Sequence, residues 1–259
     1  MRSAAVLPAV LLIARAAGAG LPGELDPTFN GGQPLVLNLS RTVPCFSYFN
    51  GVTLDPAGGF VLGGVATDAT GRAGAALVRV NSDGTVDPSF ASGGTQVLQL
   101  GLGSTPSSSC WDVEPRVSGG WICGGLASAA DGRYAGLVAA FDANGIPDLG
   151  FGSGGSIRRQ IAGSPPASWY AGGSAVAADG STFLVGSLSA GTPATDVMLV
   201  VTKVTPEGNL ATGFGNQPSD GAFVQDFSQT GSNSSGGDAL VTSTGTILVA
   251  GTTLDTVGR

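Results

Sequence analysis

Two carboxylates, Asp112 and Glu114, lie on either side of Val113 in a stretch with the apolar character of a β-strand. Alternate residues of a strand point to the same face, so both carboxylates are expected on one side of a sheet. Paired carboxylates perform acid and base chemistry in glycosidases, and this pair suggests a polysaccharide hydrolase or lyase. A similar stretch earlier in the chain holds Gly51 and Thr53 instead. The other interpretation is therefore two solvated side chains without a catalytic role.

Oxygen-bearing side chains also precede glycines in two turn-like stretches. Residues 81–84 (Asn-Ser-Asp-Gly) are followed by Asp87, and residues 142–145 (Asp-Ala-Asn-Gly) are followed by Asp148. Such loops suit Ca²⁺, because the glycine lets the oxygens turn inward. Neither loop ends in the bidentate Glu of a calcium loop, and ordinary β-turns use the same residues. We therefore expect turns, with no metal or other cofactor.

Several other chemistries are excluded by the composition. The chain has no His, which removes His-dependent triads and imidazole metal sites. Its cysteines, Cys45, Cys110 and Cys123, do not form a Cys-x-x-Cys pair, and no glycine-rich segment ends in the Gly-Lys-Ser/Thr of a phosphate loop. A net charge of −7 repels phosphate backbones, so a nucleic-acid partner is not expected.

Aromatic residues near the start of one strand in successive copies of the sequence are the candidates for a ligand site. They are Phe46, Tyr48, Phe49, Trp111, Trp169 and Tyr170. Variable loops lie nearby, and residues 66–74 and 127–135 should share their face. A rigid scaffold that presents aromatic rings beside variable loops suits a glycan or a protein ligand. The candidate contacts are Tyr48, Trp111, Trp169 and Tyr170. Packing between copies is the alternative role for these rings, and the sequence favours it.

The elements that position these residues are internal repeats. Phe29, Phe90, Phe151 and Phe214 recur at intervals of 61, 61 and 63 residues, and each closes a short turn-like phrase. The phrases are Leu-Asp-Pro-Thr-Phe, Val-Asp-Pro-Ser-Phe, Pro-Asp-Leu-Gly-Phe and Ala-Thr-Gly-Phe. Each phenylalanine is expected to fill an apolar slot between copies. The repeats cover approximately residues 25–85, 86–146, 147–210 and, in part, 211–259.

Each copy contains four short apolar strands separated by turns. The 44 Gly and 15 Pro residues suit such turns, and Asp-Gly and Asn-Gly pairs mark hairpins. Four strands in a unit of this length predict an all-β fold, a β-propeller of four-stranded antiparallel blades. A β-helix is the main competitor, although its rungs are shorter. The fourth copy is split or incomplete, and the strand predicted at residues 34–39 would share its blade if the ring closes.

The repeat phrases also resemble a known family. Leu25 to Phe29, Val86 to Phe90, the apolar strand ending in Gly-Gly and the leucine-containing strand ending in Asp-Gly are similar to the delta-60 repeat family of bacteria. The resemblance extends from about residue 21 to residue 259, and it implies a β-propeller. The resemblance does not indicate an activity, and it identifies no catalytic residues. The phrases ending in Phe151 and Phe214 depart from the pattern, because both lack the Asp-Pro pair.

The first 19 residues have the pattern of an export signal. Arg2 precedes an apolar stretch, and Ala17-Gly18-Ala19 has the small-x-small form of a cleavage site. Loss of Arg2 and Arg15 would change the net charge from −7 to −9. Residues 20–259 would then form an exported repeat domain with no membrane-spanning segment. Cys110 and Cys123 fall on adjacent predicted strands, so an oxidising compartment would allow a disulfide between them.

Overall fold

A computed structural model describes residues 9–11, 25–39, 46–160, 168–191, 194–217, 220–227 and 233–254. Across these ranges the fold is all-β, with sixteen strands and a 3-10 turn at Asn30–Gly32. None of the helical structure in these ranges is long and apolar enough to cross a membrane. The all-β class predicted from the turn-rich sequence is confirmed.

Most of the strands form four successive units. Unit 1 contains β3 (Ser47–Leu54), β4 (Phe60–Thr67), β5 (Ala73–Val80) and β6 (Thr95–Leu98). Unit 2 contains β7 (Ser108–Pro115), β8 (Trp121–Ser128), β9 (Tyr134–Phe141) and β10 (Ser156–Arg159). Unit 3 contains β11 (Ser168–Val176), β12 (Thr182–Gly191), β13 (Ala194–Val204) and β14 (Ala222–Gln225). Unit 4 contains β15 (Asn233–Val241) and β16 (Ile247–Leu254).

Within units 1 to 3, each strand pairs antiparallel with the next strand along the chain. In unit 4, β15 pairs antiparallel with β16, and a single parallel bridge joins β15 to β13. Two further strands, β1 (Ala9–Leu11) and β2 (Leu35–Leu37), pair antiparallel with each other. The expected pairing of β2 with unit 4 is therefore not seen in the described ranges. The rest of the predicted export signal lies outside the described residues, as does Cys45.

Glycines in the turn after the third strand close the hairpin turns that the sequence predicts. Gly84 has a φ of 88° and Gly145 a φ of 75°, in the left-handed region that favours glycine. The Gly84 N–H donates to the carbonyl of Asn81 at 2.9 Å, and Gly145 repeats this bond with Asp142 at 3.0 Å. The Asp-Gly and Asn-Gly turns are thus formed as expected.

The repeated phenylalanines join each unit to the next. Phe29, Phe90 and Phe151 are 4%, 0% and 2% exposed, so the predicted role in filling apolar slots is confirmed for these three. The residue after each phenylalanine donates its backbone N–H to the turn of the following unit. These bonds run from Asn30 to Asp83 O at 2.7 Å, from Ala91 to Asn144 O at 2.6 Å and from Gly152 to Glu207 O at 2.8 Å.

The hydrophobic core consists of layers of buried side chains between consecutive units, and each layer is called a slab below. The slab between units 1 and 2 contains Leu77 from β5 and Leu137 from β9, and the slab between units 2 and 3 contains Val138 from β9 and Val200 from β13. The first strands of successive units contact one another, from β3 to β7, β11 and β15. The loops that precede these first strands therefore lie on a common side, where the candidate site is found.

Candidate functional site

The first strand of each unit contains a β-bulge, and in unit 2 the bulge turns an aromatic ring to the surface. The pairing of β7 with β8 shifts between Cys110 and Asp112, which leaves Trp111 as the extra residue. A bulged residue is released from the strand alternation, and its side chain is re-aimed. Trp111 is accordingly 37% exposed, whereas Cys110 beside it is fully buried.

Exposed aromatic rings from units 1 and 2 surround one cleft. Phe46 directly precedes β3, Tyr48 lies on β3, Trp111 lies on β7, and Tyr134 begins β9. The cleft encloses about 350 Å³, and residues 107–109, all serines, add hydroxyl groups to its wall. The Phe46 and Tyr48 rings are stacked, with centroids 6.3 Å apart and an interplanar angle of 20°. The cleft therefore combines flat apolar surfaces with hydrogen-bonding groups.

Hydrogen bonds and a disulfide hold β7 at the cleft. The buried Ser108 hydroxyl accepts the N–H of Ala75 at 3.1 Å and donates to the carbonyl of Leu98 at 3.0 Å, so it ties β7 to unit 1. Cys110 and Cys123 form a disulfide between β7 and β8, with Cα atoms 5.5 Å apart. Trp111 follows Cys110 directly, and its indole Nε1 donates to the Ser109 hydroxyl at 2.9 Å. The position of the Trp111 ring is thus set by several fixed neighbours.

The Tyr48 hydroxyl remains a hydrogen-bond donor at neutral pH. Partial burial is the larger cause that raises its pKa above the ordinary value, and the electrostatic effect of Tyr134 acts in the same direction. A neutral phenol can both donate and accept a hydrogen bond. The cleft can therefore offer Tyr48 as a polar contact beside its stacking surface.

The structure brings together two of the four predicted contacts. Tyr48 and Trp111 line the same cleft, whereas Trp169 is fully buried in the slab between units 2 and 3. The Trp169 ring lies where a Cβ on Gly136 would approach it to 2.9 Å, so the absence of a side chain on Gly136 leaves room for it. Packing is therefore the role of Trp169. Tyr170 is 52% exposed on β11, away from this cleft.

Tyr134 belongs to the cleft, although its sequence position lies outside the stretch where the aromatic residues recur. It falls in the segment 127–135, which was expected to share a face with the variable loops. The sequence feature that indicates Tyr134 as a cleft residue is therefore its position in this loop segment, not the recurrence of aromatic residues. The β8–β9 hairpin brings Tyr134 opposite Ser128 in the strand register and places it beside the first strands.

The paired carboxylates lie on the first strand of unit 2. Asp112 accepts hydrogen bonds from the N–H and the hydroxyl of Ser174, at 2.8 and 2.9 Å, through one carboxylate oxygen. Burial raises the pKa of Glu114 to about 7, with further contributions from Asp112 and Asp238. A carboxyl group that is partly protonated at neutral pH can donate a proton, which is the chemistry of a general acid.

The carboxylates of the oxygen-rich turns have partners within the protein. Asp83 accepts hydrogen bonds from the N–H and the hydroxyl of Thr85, at 2.9 and 2.7 Å, and Asp142 accepts the N–H of Asn144 at 2.8 Å. Asp148 pairs with Arg116 at 2.7 Å. No group of three or more His, Cys, Asp or Glu side chains suited to a metal ion occurs within the described ranges. These contacts are those of ordinary turns.

Comparison with known proteins does not indicate a function, so the functional proposal rests on the geometry of the site. No protein-family model matches this chain, and no curated protein matches it significantly. The candidate site is the aromatic cleft defined by Phe46, Tyr48, Trp111 and Tyr134, where exposed rings from two units meet.

Proposed function

We propose that the protein is an exported, non-catalytic β-propeller module that binds a glycan in the aromatic cleft between units 1 and 2. The observation that carries the proposal is the convergence of Tyr48, Trp111 and Tyr134 on one cleft from three separate strands. Binding sites are typically concave and combine aromatic surface with a few polar groups. A sugar ring offers the matching chemistry, with apolar C–H faces and a rim of hydroxyl groups.

The propeller interpretation is supported by the repetition of one four-stranded antiparallel sheet. Units 1, 2 and 3 share the same strand order, and the first strand of each contacts the first strand of the next. Blades of four strands arranged in this way are the units of a propeller. The resemblance of the Phe29 and Phe90 phrases to delta-60 repeats points to the same architecture.

Export is supported by two independent features. Residues 1–19 have the pattern of a cleaved signal, and Cys110 and Cys123 form a disulfide. Disulfides persist mainly in oxidising compartments, which include the periplasm and the cell exterior. Both compartments contain polysaccharides that such a module would meet.

The charge of the cleft favours a neutral ligand. None of the residues that line it carries a formal charge, and the polar groups that it offers to a ligand are the hydroxyls of Ser107, Ser109, Tyr48 and Tyr134. A charged peptide segment would leave its charges without partners in such a site, which is costly. A neutral glycan can satisfy these groups by hydrogen bonding.

The proposal is tested by affinity electrophoresis of the purified protein in gels that contain soluble neutral polysaccharides, followed by calorimetry with oligosaccharides. Tyr48→Ala and Trp111→Ala should each weaken binding at least tenfold. Tyr170→Ala is the matched control, because it removes an exposed tyrosine at the corresponding strand position of unit 3, and it should change the Kd by less than twofold. If all three variants are retarded as strongly as the wild-type protein, the glycan binds outside this cleft. If the cleft binds a protein ligand but none of the polysaccharides, the glycan proposal is wrong.

A polysaccharide hydrolase or lyase is the second candidate function. It is favoured by the pKa of about 7 at Glu114, which burial and two neighbouring carboxylates raise. Against it, Asp112 accepts two hydrogen bonds from Ser174 of the next unit, which gives this carboxylate a structural role. The test is whether the protein releases new sugar ends from a polysaccharide. Release that Glu114→Gln abolishes would favour the enzyme over the non-catalytic binding module.

A further inference from the structure

The second strand of unit 4 borders an apolar cleft. This cleft encloses about 530 Å³ between units 3 and 4. Leu199, Val201 and Phe223 form one wall from unit 3, and Ile247 and Val249 from β16 form the other. Within the described ranges β16 pairs only with β15, so the backbone groups along its other edge have no strand partner.

The complete units show what fills the equivalent space. In unit 3 the third strand, β13, pairs along β12 from Thr182 opposite Val204 to Ala190 opposite Asp196. β13 also contributes Val200 and Val204 to the slab that faces unit 2. In unit 2 the third strand, β9, contributes Leu137, Ala139 and Phe141 to the slab that faces unit 1. A third strand beside β16 would place its alternate side chains in the 530 Å³ cleft.

The repeated phenylalanines also indicate that a third strand and its turn would fit beside β16. The turn after the third strand covers the phenylalanine of the preceding phrase, with Gly145 against Phe90 and Gly208 against Phe151. Phe214 is the fourth member of this series. It lines the cleft and is only partly buried. An added strand that ends in a glycine turn would therefore complete the burial of Phe214 as well.

We propose that β16 and this cleft bind an extended segment of a partner polypeptide as an added β-strand, antiparallel to β16. The segment would carry apolar side chains at alternate positions and a glycine turn directly after the strand. Strand addition to an exposed edge is an established mode of peptide recognition. A second folded copy offers no such strand from units 1 to 3, because β5, β9 and β13 are interior strands of their own sheets. The proposal is independent of glycan binding.

The test uses a fluorescent peptide with the sequence of residues 73–84, Ala-Gly-Ala-Ala-Leu-Val-Arg-Val-Asn-Ser-Asp-Gly, which is the third strand of unit 1 and its turn. Anisotropy titration with the full chain should give saturable binding. The same peptide with Val78→Pro and Val80→Pro should bind at least tenfold more weakly, because proline cannot donate to a strand ladder. Equal binding of both peptides would overturn the proposal, as would no binding at millimolar protein.

Two variants of the protein locate the binding. Val249→Arg places a charge in the cleft and should weaken the peptide at least tenfold, whereas Leu248→Arg, on the opposite face of β16 and 53% exposed, should change the Kd by less than twofold. Circular dichroism shows whether each variant keeps its fold. Equal affinity of a folded Val249→Arg protein would overturn the proposal. So would a concentration-dependent dimer of the wild-type protein that Val249→Arg dissociates, because a second copy would then occupy the cleft.

Discussion

The carboxylate of Asp112 accepts two hydrogen bonds from Ser174, one from its N–H at 2.8 Å and one from its hydroxyl at 2.9 Å. The two residues are 62 positions apart and belong to the first strands of units 2 and 3. Ser174 is fully buried, so its polar groups depend on this partner. A residue of the kind that performs catalysis in glycosidases thus joins two repeats.

We expect Asp112→Ala to destabilise the fold by about 2–4 kcal/mol, because it leaves two buried donors without an acceptor. Ser174→Ala removes only the hydroxyl bond and should cost about 1–2 kcal/mol. Urea unfolding of both variants and of the double variant measures the coupling. Additive losses in the double variant would show that the pair does not stabilise the interface between units 2 and 3.

Phe90→Ala should destabilise the protein by about 3–5 kcal/mol, the range for a fully buried phenylalanine. Its ring is 0% exposed and lies under the guanidinium of Arg79, with 5.0 Å between the Arg79 Cζ atom and the ring centroid. Phe214→Ala is the control from the same series and should cost less than half as much, because Phe214 is only partly buried. Denaturant titration provides both values. Equal losses would mean that the covering turn does not contribute to the burial of Phe90.

The stability of the protein should depend on the ionisation of Glu114. Burial, followed by Asp112 and Asp238, raises the pKa of the folded-state carboxyl from 4.5 to about 7. The folded state then binds more protons than the unfolded state between these values, so the free energy of unfolding falls as pH rises from about 4.5 to about 7. Because the carboxyl is only half-buried and partly screened, we expect a loss of about 1–2 kcal/mol.

Glu114→Gln removes this titration and should raise the melting temperature at pH 8 while leaving it nearly unchanged at pH 4. Glu207→Gln serves as the control, because hydrogen bonding to Thr205 lowers the pKa of the exposed Glu207 and its substitution should not remove the loss between pH 4.5 and 7. Thermal melts across this pH range measure both. A wild-type slope in the Glu114→Gln protein would assign the pH dependence to other groups.

Loss of the disulfide should weaken both the fold and the cleft. Cys110 and Cys123 are 13 positions apart, and closing a loop of this size stabilises a protein by about 2–3 kcal/mol. Replacement of both cysteines by serine should lower the melting temperature and weaken glycan binding, because Trp111 is adjacent to Cys110. A reductant should lower the melting temperature of the wild-type protein and leave that of the double variant unchanged. A reductant effect of equal size in both proteins would contradict this assignment.

The sequence by itself determined the repeat, the strand content and the turns. The intervals between Phe29, Phe90 and Phe151, the alternation of apolar residues and the Asp-Gly and Asn-Gly turns are local features, and local chemistry governs strands and hairpins. The observed strands overlap every predicted one in the four units. Even the inter-unit role of Phe90 followed from its repetition, because a residue that recurs once in each unit serves the contact that recurs with it.

Only the tertiary structure decided which side chains reach the surface and which meet each other. Trp111 and Trp169 look alike in the sequence, but a bulge turns the first outward and the space above Gly136 buries the second. Tyr134 joins the cleft, and Asp238 acts on Glu114, through contacts between strands far apart in the chain. Such contacts depend on the register of pairing and on the packing of one unit against another, and a one-residue shift in register would reverse every side chain of a strand.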